Sequence, residues 1–129
     1  MAGEYAVDTN VLTAFLGGDR DVLKEMARAK KVWLPIPVLG ELIYGALKSM
    51  NKEANLKEIS KVLLLAGIIE CDEKVADRYG RIRLDLKKKG RPIPENDIWI
   101  AACAEVKKVP RVTRDSHFNE IDSLEKVRW

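Results

Sequence analysis

Short apolar runs alternate along this chain with longer segments of helical periodicity, and that alternation leaves few folds open. Glu4–Val7, Val32–Leu34, Ile68–Cys71, Arg111–Thr113 and Glu125–Arg128 read as strands. Helical patterns occupy the intervals at Asn10–Leu16, Asp21–Ala29, Val38–Met50, Ala54–Ala66, the segment between Asp72 and Gly90, and Asn96–Lys108. Strands separated by helices imply a parallel sheet covered on both faces. The expected architecture is α/β, a three-layer α/β/α arrangement around a central parallel sheet of four to five strands, with residues 1–129 as one domain.

Local signals set the element ends. Gly17-Gly18 stops the first helix, and Asp19 or Asp21 caps the second. Pro35 and Pro37 limit the second strand. Val38, Leu39, Leu42, Ile43, Ala46, Leu47 and Met50 form one apolar arc of the third helix. Gly67 is placed as the C-terminal cap of the fourth. Asp72 opens a helix whose stripe is Val75, Tyr79, Ile82 and Leu86, and Gly90 ends it. The helix from Asn96 is apolar all round in its first two turns, so it is expected to be buried.

Composition excludes several classes. The two cysteines, Cys71 and Cys103, cannot make a disulfide framework, and their apolar neighbours read as reduced core positions of a cytoplasmic protein. No signal peptide is evident and no apolar run approaches membrane-spanning length. Net charge is +3, which permits a nucleic-acid partner without arguing for one. The chain has a single histidine, His117, so a mechanism needing two imidazoles is excluded. Dense Lys, Arg and Glu with no glutamine hint at a thermophilic source.

Acid–base chemistry must therefore lean on carboxylates, metal-bound water or lysine, and four carboxylates stand out. Asp8, Glu41, Asp97 and Asp115 each sit at the edge of an apolar segment, where a lone carboxylate is costly. Asp8 and Asp115 directly follow predicted strands, at the edge where open α/β sheets bind ligands. Asp97 opens a helix. Each also has an ordinary reading: Asp8 and Asp97 (or Asn96) as helix caps, Asp115 as a turn residue, Glu41 as a solvated helix residue outside the apolar arc. Gly40 and Gly45 beside Glu41 would leave room for a ligand. Lys87-Lys88-Lys89-Gly90-Arg91 reads as a solvated helix end favoured by the helix dipole, or as a contact for phosphates near Asp97. Trp33 and Trp99 read as core.

Taken in order, four segments resemble the PIN-domain nucleases, and among them the VapC-type toxin ribonucleases of toxin–antitoxin pairs. Val7-Asp8-Thr9-Asn10-Val11-Leu12 is similar to the opening strand and first acid of that family. Glu41-Leu42-Ile43-Tyr44-Gly45 is similar to the second-acid helix. Asn96-Asp97-Ile98-Trp99-Ile100-Ala101-Ala102 resembles the third-acid motif, and Val112-Thr113-Arg114-Asp115-Ser116-His117-Phe118 the closing one. The chain departs from the family at Val109-Pro110-Arg111, where a more apolar strand entry is usual.

The resemblance implies that Asp8, Glu41, Asp97 and Asp115 are the catalytic, metal-binding acids, supported by Asn10 and Thr113. It implies one or two Mg2+ or Mn2+ ions, an RNA substrate, a small VapB-like antitoxin covering the acidic site, and a homodimer with no membrane attachment. Lys87, Lys88, Lys89, Arg91 and Arg114 are candidate contacts to RNA phosphates. The charge argument agrees: two carboxylates about 4 Å apart repel by ~1 kcal/mol in water and about 4 kcal/mol at an effective dielectric of 20, so clustered acids invite a hard cation.

Three other readings compete. One is an RNA-processing PIN nuclease without an antitoxin. Another is a haloacid-dehalogenase-like phosphatase or a receiver domain. The phosphatase usually has a second aspartate two residues after the nucleophile, where this chain has Asn10, and the receiver has an early acidic pair, where Asp8 stands alone. A non-catalytic binding module is the third, opposed by the presence of all four acids.

Overall fold

A computed structural model of the protein describes residues 3–114, 121 and 126–129. The elements run β1 (Glu4–Val7), α1 (Thr9–Leu16), α2 (Arg20–Arg28), β2 (Lys31–Pro35), α3 (Ile36–Leu47), α4 (Lys52–Leu65), β3 (Gly67–Ile69), α5 (Glu73–Lys89), α6 (Glu95–Lys107), β4 (Arg111–Val112) and β5 (Lys126–Val127). The five strands form one sheet in the order β3-β2-β1-β4-β5, and every pairing is parallel. This matches the expected three-layer α/β architecture.

The strand order reverses direction at β1. The chain proceeds from β1 outward to β2 and β3, then crosses back to lay β4 on the other side of β1. A crevice opens where neighbouring strands send their connections to opposite sides, beyond their carboxyl ends. β1 and β4 meet in the register Ala6↔Arg111 and Val7↔Val112, so Asp8 and Thr113 emerge side by side at that point. The Asp8 amide donates to the Val112 carbonyl at 3.0 Å.

Side chains alternate across the sheet, as the strand period of two requires. Ala6 joins a core on one face with Val75, Ile82 and Leu86 of α5 and Ile98, Ala101 and Ala102 of α6. Val7 points the other way, into a core with Val11 and Leu12 of α1, Val22 of α2, Val38 and Leu42 of α3, and Ile59 and Val62 of α4. Ile100 of α6 belongs to this second core, so α6 is buried on more than one side, as its all-round apolar first turns predict.

Several local expectations need correction. Gly67 does not cap α4; Ala66 occupies that position in extended conformation and Gly67 is already strand. Its missing side chain serves packing, because a Cβ there would stand 2.4 Å from the Trp33 ring. Pro37 lies in the first turn of α3, where an absent N–H costs nothing, so the helix starts two residues earlier than predicted. The buried arc of α3 is narrower than expected. Val38, Leu42 and Ala46 are buried, whereas Leu47 is half exposed and Met50 fully so.

Cys71 is exposed and not a core residue; its Sγ stands 3.7 Å from the buried Cys103 Sγ. Trp33 and Trp99 are only partly buried against the core, Trp33 donating through Nε1 to Glu4 at 3.1 Å. Arg111 opens β4 fully buried, so the polar strand entry noted in the sequence is accommodated inside the fold.

Candidate active site

Asp8 is made by its backbone position before it is made by chemistry. It follows β1 directly and caps α1, with Oδ1 accepting from the Thr9 amide at 2.7 Å. Its Oδ2 accepts from the Thr113 hydroxyl, also at 2.7 Å. The residue is 3 % exposed. The helix-cap reading is therefore met, and the same side chain remains a candidate for the site. A carboxylate offers roughly four lone-pair sites. Each Asp8 oxygen thus keeps a lone pair after these two bonds, and the rotamer is locked from both sides.

Asn10 and Thr113 lie beside Asp8 and differ in what they hold. Thr113 bonds Asp8 directly. Asn10 holds the chain leaving β4, its Oδ1 accepting from the Arg114 amide at 3.2 Å. Asp115 itself lies outside the described residues, as do His117 and Phe118.

Glu41 comes from α3 and Asp97 from α6, helices on different segments of the chain. Asp97 is the third residue of α6; Pro94 holds the N-cap position with no side-chain cap, so neither Asn96 nor Asp97 is spent on capping. The capping reading of that pair is overturned, and the reason is the extended Ile93-Pro94 entry, which starts the helix one residue early. Asn96 instead donates its side-chain amide to Glu41 Oε1.

The Glu41 carboxyl is pushed above its ordinary value, first by burial. The negative charges of Asp8 and Asp97 push it further, while the nearby Thr9 hydroxyl and the Asn96 amide, which donates to it, pull back. Carboxylates from β1, α3 and α6 therefore feel one another across the crevice. Among the described residues, no three acidic, histidine or cysteine side chains stand close enough to enclose a metal ion by themselves. The open lone pairs of Asp8 and the mutual repulsion at Glu41 nevertheless suit a hard cation.

Glu41 also borders a depression of about 380 Å3 between α1, α3 and α4, with Thr9, Gly45 and Asn55 among its lining. Gly40 and Gly45 have open space where a Cβ would stand, so the expected room beside Glu41 is present. A larger, mostly apolar groove of about 530 Å3 runs between α2 and α4, lined by Phe15, Met26 and Leu65, away from the acids.

The raised Glu41 carboxyl has a measurable consequence for stability. Its folded-state value is raised, so the ionised form costs the native state stability. The cost is fully present above the folded value and disappears as pH falls below the unfolded one. Glu41→Gln should therefore raise the melting temperature at pH 7 in chelator, by a few degrees at most because water screens a half-exposed group. The gain should fade as pH is lowered through the carboxylate range. A melting curve of the variant lying below wild type at pH 7 in chelator would contradict the described crowding.

The basic residues divide. Lys87, Lys88 and Lys89 form the last turn of α5, capped by Gly90 in left-handed conformation. Lys89 pairs with Asp85 at 3.1 Å, while Lys87 and Lys88 are exposed. Arg91 is exposed on the short segment leading to α6. Arg114 is engaged within the chain: its Nη1 is 3.1 Å from Asp19 Oδ2 and its Nε donates to the Trp129 carbonyl at 3.0 Å. These bonds tie the end of β4 to Asp19, which caps α2, and to Trp129.

Three residues escaped the sequence reading: Thr9 and Asn96 beside Glu41, and Asp19 beside Arg114. Thr9 and Asn96 each neighbour a candidate acid in sequence, which is a signal. Their shared target on α3 follows only from the helix packing.

Known proteins were compared with this geometry. A family model described as PIN domain matches residues 5–124. The chain is 31% identical over 130 residues to the ribonuclease VapC2 of Rickettsia felis, covering 97% of each chain. It is 28% identical over 129 residues to the tRNA(fMet)-specific endonuclease VapC of Shigella flexneri, covering 98% of each. The structure of VapBC2 from Rickettsia felis, bound to a DNA fragment from its promoter, superposes with a TM-score of 0.89 at 30% identity over 98% of both chains. With the strand order, the position of Asp8 at the sheet edge and this match over nearly its whole length, the chain belongs to the PIN-domain family.

Proposed function

We propose that this protein is a metal-dependent endoribonuclease that hydrolyses RNA phosphodiester bonds, and that it is the toxin of a VapBC-type toxin–antitoxin pair. The observation that carries the reading is Asp8, held by Thr9 and Thr113 at the strand switch point with lone pairs left open toward Glu41 and Asp97. The names of the relatives support RNA as the substrate class and a VapB-like protein as partner.

In this reading Asp8, Asp97 and Asp115 hold one or two Mg2+ or Mn2+ ions, and Glu41 either joins them or orients a water. When bound, such ions supply charge neutralisation at the scissile phosphate and a more acidic water. The chain supplies the rest. Thr113 and the Thr9 amide keep Asp8 from rotating. Glu41, its carboxyl raised by burial and by the charges of Asp8 and Asp97, is placed to take part in proton transfer at the site. Exposed Lys87, Lys88 and Arg91 offer cationic contacts to the RNA backbone, whose strength should fall with salt.

Exposed apolar side chains are the surfaces for protein partners. Tyr44, Leu47 and Met50 on and after α3, and Leu64 and Leu65 on α4, are at least half exposed. We assign them to homodimer and antitoxin contacts, with the antitoxin covering the acidic crevice. No helix among the described residues is long and apolar enough to cross a membrane.

The test pairs binding with catalysis. Millimolar Mn2+ should raise the melting temperature of antitoxin-free protein, since only the folded chain presents the site; saturation at a hundredfold over Kd corresponds to about 2.7 kcal/mol. The same protein should fragment structured cellular RNA with Mg2+ or Mn2+ and not with chelator. Unchanged melting together with intact RNA would reject the reading.

A further inference from the structure

Two adjacent residues in the first turn of α6 reach in opposite directions. Glu95 turns to α5, where it accepts from the Tyr79 hydroxyl and lies 3.0 Å from Arg83 Nη1. Arg83 Nη1 also donates to Tyr79 Oη at 2.7 Å, and the Tyr79 ring stacks on Trp99, one turn further along α6, at 4.0 Å and 13°. This end of α6 is thus fastened to α5 by an ion pair, hydrogen bonds and a ring stack. Asn96, the next residue, points to α3 and donates its amide to Glu41 Oε1.

We propose that Asn96 is a positioning residue that sets the direction of the Glu41 carboxylate, with the Glu95–Tyr79–Arg83 fastening holding the turn from which it reaches. The inference rests on the nuclease reading and adds to it a residue with no charge. Four points support it. Glu41 lies mid-helix on α3, facing like charges from Asp8 and Asp97 that drive its carboxylate outward. Only donors can hold it against that repulsion, and an amide N–H does so without adding a charge that would compete with a cation. One carboxylate oxygen is taken by Asn96, which leaves the other for the crevice. Asn96 is itself exposed and does not cap its helix, so the fold gains little else from it. Groups that orient a metal-binding carboxylate typically change affinity or activity by about 10–100-fold when removed.

The experiment compares wild type, Asn96→Ala and Asn96→Asp. Melting temperatures are read in chelator and across a Mn2+ titration, and steady-state cleavage is read on a labelled RNA that wild type cuts. Asn96→Ala should melt near wild type in chelator, and Asn96→Asp somewhat below it. Their Mn2+ midpoints should rise about tenfold or more, and kcat at subsaturating Mn2+ should fall by a similar factor with KM for RNA unchanged. Asn96→Asp should be the worse of the two, because it places a third negative charge against Glu41. Asn96→Gln, which retains the amide, should recover part of the loss. A normal wild type beside variants with unchanged Mn2+ midpoint and kcat overturns the assignment, as does a change confined to KM. Wild type that neither responds to Mn2+ nor cuts RNA overturns the nuclease reading itself, which separates the two failures.

Discussion

Replacing Asp97 with asparagine should reduce RNA cleavage by at least about a hundredfold, some 2.7 kcal/mol of transition-state stabilisation, while leaving the folded structure in place. The substitution is isosteric and removes only the negative charge. Asp97 stands in the first turn of α6 without capping it, so the helix keeps its start. Losing an acid near a helix N-terminus forgoes a dipole interaction of a few tenths of a kcal/mol, which the relief of repulsion with Glu41 offsets in chelator. The variant should therefore melt close to wild type without metal and gain less from Mn2+.

The same change at Asp8 should cost both properties. Asp8 is buried, caps α1 and accepts the Thr113 hydroxyl. Asparagine can keep the cap through its remaining oxygen, which accepts from the Thr9 amide, but its NH2 then faces Thr113 and cannot accept the hydroxyl proton. Asp8→Asn should be inactive and measurably less stable, and Asp97→Asn inactive alone. The readout is cleavage with saturating Mn2+ beside chemical denaturation. A fully active Asp97→Asn would remove that residue from the mechanism.

The second large effect is structural. Leu12 is completely buried on α1, in the core shared by Val7, Leu34, Val38 and Leu42. Truncating a buried leucine to alanine loses transfer free energy and leaves a cavity, together about 2–5 kcal/mol. For a chain of this size that corresponds to a melting temperature about 10 °C or more lower. Leu64 is the control: it is 84 % exposed, and Leu64→Ala should lie within about 0.5 kcal/mol of wild type in the isolated chain. α1 also carries Asp8 at its cap, so Leu12→Ala should weaken the Mn2+ response as well. A loss below about 1 kcal/mol would mean that α1 is not packed on the sheet as described.

Periodicity and local chemistry carry far in this chain. β1, the Asp72 cap and the left-handed Gly90 end of α5 stand where the residues alone place them, because each depends on a few neighbours in sequence. The parallel sheet follows from strands separated by helices, since such connections cannot return antiparallel by a tight turn. Where a signal was local but ambiguous, packing decided. Gly67 reads as a cap, yet the approach of the Trp33 ring across the β2–β3 pair is what excludes a side chain there. Leu47 and Met50 share the spacing of Val38 and Leu42, but α3 runs past the edge of the core before reaching them.

The site shows the same division. The candidate carboxylates were readable from Asp8 at a strand end and Asp97 at a helix start, and from the motifs around them. How they are held was not readable. Asp8 meets Thr113 across 105 positions of chain because β1 and β4 are neighbours in the sheet. Asn96 meets Glu41 across 55 positions because α3 and α6 end up side by side. Arg114 is in sequence a candidate contact to phosphates, and only the fold brings Asp19 and the Trp129 carbonyl to it. A sequence determines residue types and their local periodicity through short-range backbone physics. Contacts between distant segments arise from burying two cores on one twisted sheet at once, and that global constraint decided how the carboxylates are oriented, restrained and charged.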